Sequence, residues 1–158
     1  LEIFYSTGVR ISELVKIKID DIKLDDNSIS ILGKGSKKRI VIIGNYAKKK
    51  LQDYLNYDEV NSVGYLFKNV RKSSIGHISE RNVFNIVKKY TVKVTKNEKI
   101  SPHALRHTFA THLLNNGADL MSVKELLGHS DLSSTQIYTH VNIKQLKKSF
   151  LKAHPHAK

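Results

Sequence analysis

The stretch from His103 to Tyr138 concentrates the side chains that could do chemistry. It reads His-Ala-Leu-Arg-His at 103–107, Leu-Gly-His-Ser at 127–130 and Ile-Tyr-Thr-His at 137–140. No cysteine and no carboxylate pair accompanies these motifs. Such a set suits chemistry on a phosphate without a metal. A guanidinium grips anionic oxygens and stays charged at any working pH. A histidine can accept a proton, and a tyrosine hydroxyl can attack as a nucleophile. His103 and Arg106 are three residues apart, so they share a helix face. That face lies near a helix N-terminus, where backbone N–H groups also favour an anion.

Other readings of these residues are weaker. His103 and His107, at i and i+4, could hold a metal. Their surroundings are cationic, however, and no Asp, Glu or Cys is placed to complete such a site. His107, His112 and His140 read as packing or hydrogen-bonding residues. Tyr138 taken alone would be an amphipathic core residue; only the constellation makes it a candidate nucleophile.

Composition points the same way. The chain has 158 residues, enough for one domain with a proper core, and 40% of them are hydrophobic. Lys plus Arg number 27 against 14 Asp plus Glu, a formal net charge of +13. That excess predicts a polyanionic partner, most simply nucleic acid. Without cysteine there can be no disulfide framework, thiol nucleophile or Cys-based zinc site. This fits a cytoplasmic protein. No apolar run is long enough to span a bilayer and no signal peptide is visible, so no membrane role is expected.

The elements that must position the motifs follow from periodicity and punctuation. The opening Leu-Glu-Ile-Phe-Tyr reads as the end of a helix, so a preceding segment is expected. After Gly8, Ile11, Leu14 and Val15 keep helical spacing, and Arg10 and Glu13 can meet on its surface. Residues 28–32 and 39–43 read as two strands of a hairpin. The joining turn, Gly33-Lys34-Gly35-Ser36-Lys37-Lys38, presents lysines suited to a phosphate backbone. Lacking the glycine spacing and the Lys-Ser/Thr pair, it is not a P-loop.

Asn45 is the expected cap of a helix through about Tyr54, with Leu51, Tyr54 and Leu55 inward. Residues 56–76 read as irregular around Tyr65-Leu66-Phe67. Ser79 caps a helix carrying Val83, Ile86, Val87 and Tyr90 on one side. No chemistry is expected between Asn45 and Lys99, only a basic solvated or DNA-facing surface. Ser101-Pro102 opens a helix to about Asn115, stopped by Gly117. Asp119 caps another through Leu127, stopped by Gly128, which puts His129 just past its end. Ser133 or Ser134 starts a turn carrying Tyr138. A final helix from Asn142 has Ile143, Leu146, Phe150 and Leu151 on one stripe. The fold class expected is α+β, mostly helical, with a small antiparallel hairpin near the N-terminus.

Five blocks together resemble the catalytic domain of the tyrosine recombinase (phage integrase) family, closest to its bacterial Xer-type members. They are Ser-Thr-Gly-Val-Arg-Ile-Ser-Glu-Leu at 6–14, Gly-Lys-Gly at 33–35, the motif at 103–107, Leu-Leu-Gly-His-Ser at 126–130 and Thr-Gln-Ile-Tyr-Thr-His at 135–140. They occur in family order and span nearly the whole chain. The resemblance implies a single catalytic domain over 1–158, with an N-terminal DNA-clamping domain lying outside it. It implies metal-independent cleavage and rejoining of duplex DNA through a 3′-phosphotyrosine, with no cofactor. It places Arg10 and Arg106 on the scissile phosphate and Lys34 on the hairpin. His103 and His129 complete the pocket, Tyr138 attacks, and Glu13 orients the first arginine. Lys34 is the expected general acid, with Lys37 three residues away as the alternative. Lys37 and Lys38 are expected to contact DNA. Other protomers are implied partners, in a tetramer on DNA whose C-terminal helices are exchanged between neighbours. Two rivals remain: relaxation of DNA by a type IB topoisomerase, which has a similar active site, and a basic DNA-binding module without activity.

Overall fold

The computed structural model describes residues 1–33, 38–57, 63–69, 76–95, 100–128 and 140–157. Helix α1 (Glu2–Thr7) ends at Gly8, whose φ of 59° lies in the left-handed region. A short helix α2 (Ile11–Leu14) follows, then a 3₁₀ turn (Ile19–Asp21). Strands β1 (Ile22–Lys23), β2 (Ser28–Leu32) and β3 (Lys38–Ile42) form an antiparallel sheet in that order. The expected hairpin is therefore the larger part of a three-stranded sheet. β1 escapes prediction because two residues carry no alternation. Helices α3 (Asn45–Leu55), α4 (Glu80–Thr95), α5 (Pro102–Asn115), α6 (Leu120–Leu127) and α7 (His140–Ala153) complete the described fold.

β3 is covered on both faces, so its side chains divide between two apolar clusters. Val41 and Ile43 join Phe4, Val9, Ile29, Ile31 and Leu51 on one side. Ile42 faces Phe109, Leu113, Leu126, Leu146 and Phe150 on the other. This alternation has a consequence at Arg39, which lies opposite Ile31 in the register and is 6% exposed. Strand period carries it to the same face as Val41 and Ile43.

The caps expected for α4, α5 and α6 are present. Asn82 N–H donates to Ser79 Oγ at 3.2 Å, Ala104 N–H to Ser101 Oγ at 3.4 Å, and Ser122 N–H to Asp119 Oδ1 at 2.8 Å. The cap of α3 is Gly44 instead of Asn45. A Cβ at Gly44 would fall 1.9 Å from the His156 carbonyl oxygen, so the C-terminal tail packs directly on that backbone. Tyr54 is 39% exposed, and so are the apolar residues Ile86 (42%) and Tyr90 (49%) of α4. Only Val83 and Val87 of that helix are buried, because one edge of its wide stripe meets the core.

Helix α7 starts at His140, earlier than expected, and folds back on its own chain. Leu146 and Phe150 are buried, Ile143 is half-buried and Leu151 is exposed. Burying a side chain such as Phe150 stabilises the fold by about 2–3 kcal/mol. Its C-terminal end is held where Asn116 Nδ2 donates to the Ala153 carbonyl at 2.7 Å. Among the described residues no helix is long and apolar enough to cross a membrane.

Candidate active site

Arg10 stands at the head of α2 in extended conformation, with φ −75° and ψ 154°. Three residues later Glu13 turns its carboxylate back onto it. Glu13 Oε2 accepts the Arg10 main-chain N–H at 2.7 Å, and Oε1 accepts Arg10 Nη1 at 3.1 Å. The same carboxylate takes two more bonds, from Arg39 Nη1 to Oε1 at 2.6 Å and from Arg39 Nη2 to Oε2 at 2.8 Å. Burial by itself would push the Glu13 carboxyl up. The hydrogen bonds from Arg39 and the Arg10 backbone, with the two positive charges, outweigh it and hold the carboxyl below its usual range.

Arg106 reaches the pocket from the second turn of α5. It donates to the Gly8 carbonyl, and through Nη2 to the Leu127 carbonyl at 2.7 Å. Arg10 Nη2 approaches the next carbonyl, that of Gly128, at 3.5 Å. Two guanidiniums therefore converge on the carbonyl end of α6, where the helix dipole favours cations. Burial, then the charge of Arg10, pushes the Arg106 guanidinium down to about 10. It stays cationic at neutral pH, held at a cost by backbone oxygens that carry no full charge.

Gly8 makes this convergence possible. A Cβ there would fall 2.4 Å from the Phe109 ring and 3.0 Å from Leu127, and its φ disfavours any other residue. Gly128 is constrained in the same way, since a Cβ would lie 2.8 Å from Arg39 Cδ and Nε.

The structure thus brings Arg10, Glu13 and Arg106 together. His103 is exposed at the start of α5, on the Arg106 face by spacing. Lys38 is exposed at the start of β3, where it follows the lysine turn. Lys34, Lys37, His129 and Tyr138 lie outside the described residues. His107 is exposed, and His112 Nδ1 hydrogen-bonds the Tyr5 hydroxyl at 2.8 Å. Among the described residues no group of three or more His, Cys, Asp or Glu could hold a metal ion. Sequence reasoning missed Arg39, the bidentate partner of Glu13. The signal was there: a charge at the buried parity of a β-branched run.

Chemically, the pocket offers an anion two convergent guanidiniums beside the residue that precedes His129. Three guanidiniums surround one carboxylate, so the cluster is cationic even without the hairpin lysines.

Comparison with known proteins places the chain in a family. Tyrosine recombinase XerC of Staphylococcus aureus (strain JH9) is 47% identical over 161 aligned positions, which take in 100% of this chain and 53% of the relative. The chain therefore spans about half the length of the curated relatives it matches. The crystal structure of XerA recombinase superposes with a TM-score of 0.74 at 35% identity, covering 94% of this chain and 53% of that one. The XerH site-specific recombinase bound to its difH substrate, a pre-cleavage complex, gives a TM-score of 0.67 at 31% identity, covering 95% and 44%. The profile of the phage integrase family matches residues 1–145, from the helix before Arg10 into α7, and the chain belongs to that family.

Proposed function

We propose that this chain is the catalytic part of a site-specific DNA recombinase that cuts and rejoins duplex DNA through a 3′-phosphotyrosine. The observation that carries the reading is the convergence of Arg10 and Arg106 on the Leu127–Gly128 carbonyls, one residue before His129. The net charge of +13 and the similarity to a recombinase held on its difH substrate support DNA as the partner. Lys88, Lys89 and Lys93 add an exposed basic face on α4 around Tyr90, with Lys89 and Lys93 each 5.9 Å from its ring centre.

In this reading Arg10 and Arg106 bind the non-bridging oxygens of the scissile phosphate, where charge builds at the transition state. The Tyr138 oxygen attacks phosphorus. A phenol titrates near pH 10, so the nearby cations must favour its phenolate and a histidine, His103 or His129, must take its proton. The bond from phosphorus to the 5′-oxygen breaks, and that oxygen takes a proton from Lys34. The product is still a diester, so a 5′-hydroxyl can attack it in reverse and release Tyr138 without ATP. Lys37 and Lys38 contact the DNA backbone beside the site.

The protomers would act as a tetramer on DNA, exchanging α7 between neighbours. Exchange costs little if α7 leaves its own seat for an identical one next door, because the contacts of Leu146 and Phe150 are remade.

The test is single-turnover cleavage of a nicked suicide duplex. Lys34→Ala should slow cleavage on a normal 5′-oxygen. It should be largely restored on a 5′-bridging sulfur, which leaves without a proton. Rescue of Lys37→Ala in its place would move the acid to Lys37. Rescue of neither would remove the hairpin from the chemistry.

A further inference from the structure

Arg39 is a buried cation in β3, 6% exposed, and the chemistry above does not use it. An apolar side chain could fill its slot, as Val41 and Ile43 fill theirs. Its guanidinium holds both oxygens of Glu13, at 2.6 and 2.8 Å, and those oxygens hold the backbone and Nη1 of Arg10. Its Cδ and Nε press on Gly128 so closely that a Cβ there would lie 2.8 Å away. Arg39 Nε is buried without a hydrogen-bond partner among the described residues. Arg39 also sits one residue into β3 from the end of the lysine turn. One side chain therefore touches the carboxylate that fixes Arg10 and the residue that leads into His129.

Energetics narrow what this pair is for. A buried ion pair contributes little net stability, because desolvation consumes most of its Coulombic gain. A bidentate pair does fix orientation, since it pins both carboxylate oxygens in one plane. Without Arg39, Glu13 keeps only its bonds from Arg10, whose side chain is 38% exposed.

We propose that Arg39 is a positioning residue for phosphoryl transfer, locking Arg10 through Glu13 and setting the path of the chain into His129. This rests on the recombinase reading given above. Arg39 touches no DNA; it acts by keeping one guanidinium aimed and by holding the end of α6 in place.

A double-mutant cycle on the full chain tests it, with covalent adduct formation on a nicked suicide duplex as the readout. Arg39→Met should slow cleavage roughly ten- to hundredfold, since misplacing a positioning group by about 1 Å can cost about a hundredfold. DNA affinity should be unchanged. Arg39→Lys, which restores one of the two bonds, should recover part of the rate. In a Glu13→Gln background, Arg39→Met should cost no more than about threefold further, because the two act as a unit. Effects that multiply, or an Arg39→Met chain as fast as the parent, would overturn the proposal. If Arg39→Met alone fails to fold, the double variant decides, since it leaves no unpaired buried charge. It should then match Glu13→Gln, and a slower rate would refute the coupling. An unsubstituted chain that forms no adduct would instead bring down the recombinase reading, and the inference with it.

Discussion

Two regions of this molecule gather ionisable side chains away from water, and they treat charge in opposite ways. Around Glu13, three guanidiniums crowd one carboxylate, which their charge and hydrogen bonds hold ionised. Around His154, Tyr5, His112, Phe150 and His156 enclose an imidazole that stays neutral. His154 is stacked on Phe150 with centroids 4.8 Å apart, and its Nδ1 accepts the His156 N–H at 3.1 Å. Its proton therefore sits on Nε2, which donates to the Tyr5 carbonyl at 3.0 Å. Both ring nitrogens are satisfied only in the neutral form. Burial is the main reason that its protonation is pushed down to about 4. The His154 seat closes the C-terminal tail onto α1 and needs nothing further. The Glu13 cluster holds more positive than negative charge, a balance that favours an anion. The difference separates a structural latch from a site.

The largest expected effect is at Arg106. Arg106→Ala should slow cleavage by roughly a hundredfold or more, the usual loss for one transition-state donor. Duplex binding should persist through the other basic residues. A gel-shift and a single-turnover assay on the same preparation separate the two. Loss of binding in parallel with cleavage would make Arg106 an ordinary DNA contact.

Next is Gly8, which joins the two regions by packing under Phe109. Gly8→Ala forces a Cβ into the Phe109 ring and a left-handed φ on alanine. The cost should be on the order of 3 kcal/mol, read as a lower urea midpoint at unchanged slope. A midpoint within error of the parent would mean that the α1–α5 contact is loose.

The smaller effect sharpens the comparison through pH. His154 has a folded pKa below its unfolded value of about 6.5, so the unfolded chain takes up the proton first. Stability should fall as pH drops below about 6.5, by about 2 kcal/mol at pH 5, and level off near 4. For Glu13 the folded pKa is also lowered, but from about 4.5, so its contribution is intact above that value and lost only below it. Urea melts between pH 7 and 5 should therefore report His154 alone of these two. His154→Gln should flatten that slope, while Glu13→Gln should leave it in place. A slope that survives His154→Gln would assign acid sensitivity elsewhere.

Much of this arrangement is legible in the sequence where local chemistry decides it. Ser101-Pro102, Asp119 and Gly128 mark the ends of α5 and α6 because caps and left-handed stops act within a few residues. Arg10 and Glu13, three residues apart, meet as helical spacing allows. What stayed hidden depends on distant parts of the chain. Gly44 caps α3 in place of Asn45 because the tail at His156 lies against it, more than a hundred residues away in sequence. Ile86 and Tyr90 keep helical spacing yet are exposed, since periodicity shows an apolar stripe and not how much of it is covered. Arg39 shares the parity of Val41 and Ile43, but a charge in a strand reads as surface until both faces of the sheet are known to be buried. The stripe of α7 reads equally as a surface for a neighbouring protomer or for its own chain, and here Leu146 and Phe150 pack into their own core.

The most direct measurement is adduct trapping on a nicked suicide duplex in EDTA, comparing the parent chain with Tyr138→Phe. A pocket that stabilises the phosphate with guanidiniums predicts a covalent adduct that survives denaturation in the parent, and none in Tyr138→Phe despite equal DNA binding. An adduct formed by Tyr138→Phe, or cleavage lost in EDTA and restored by magnesium, would contradict it.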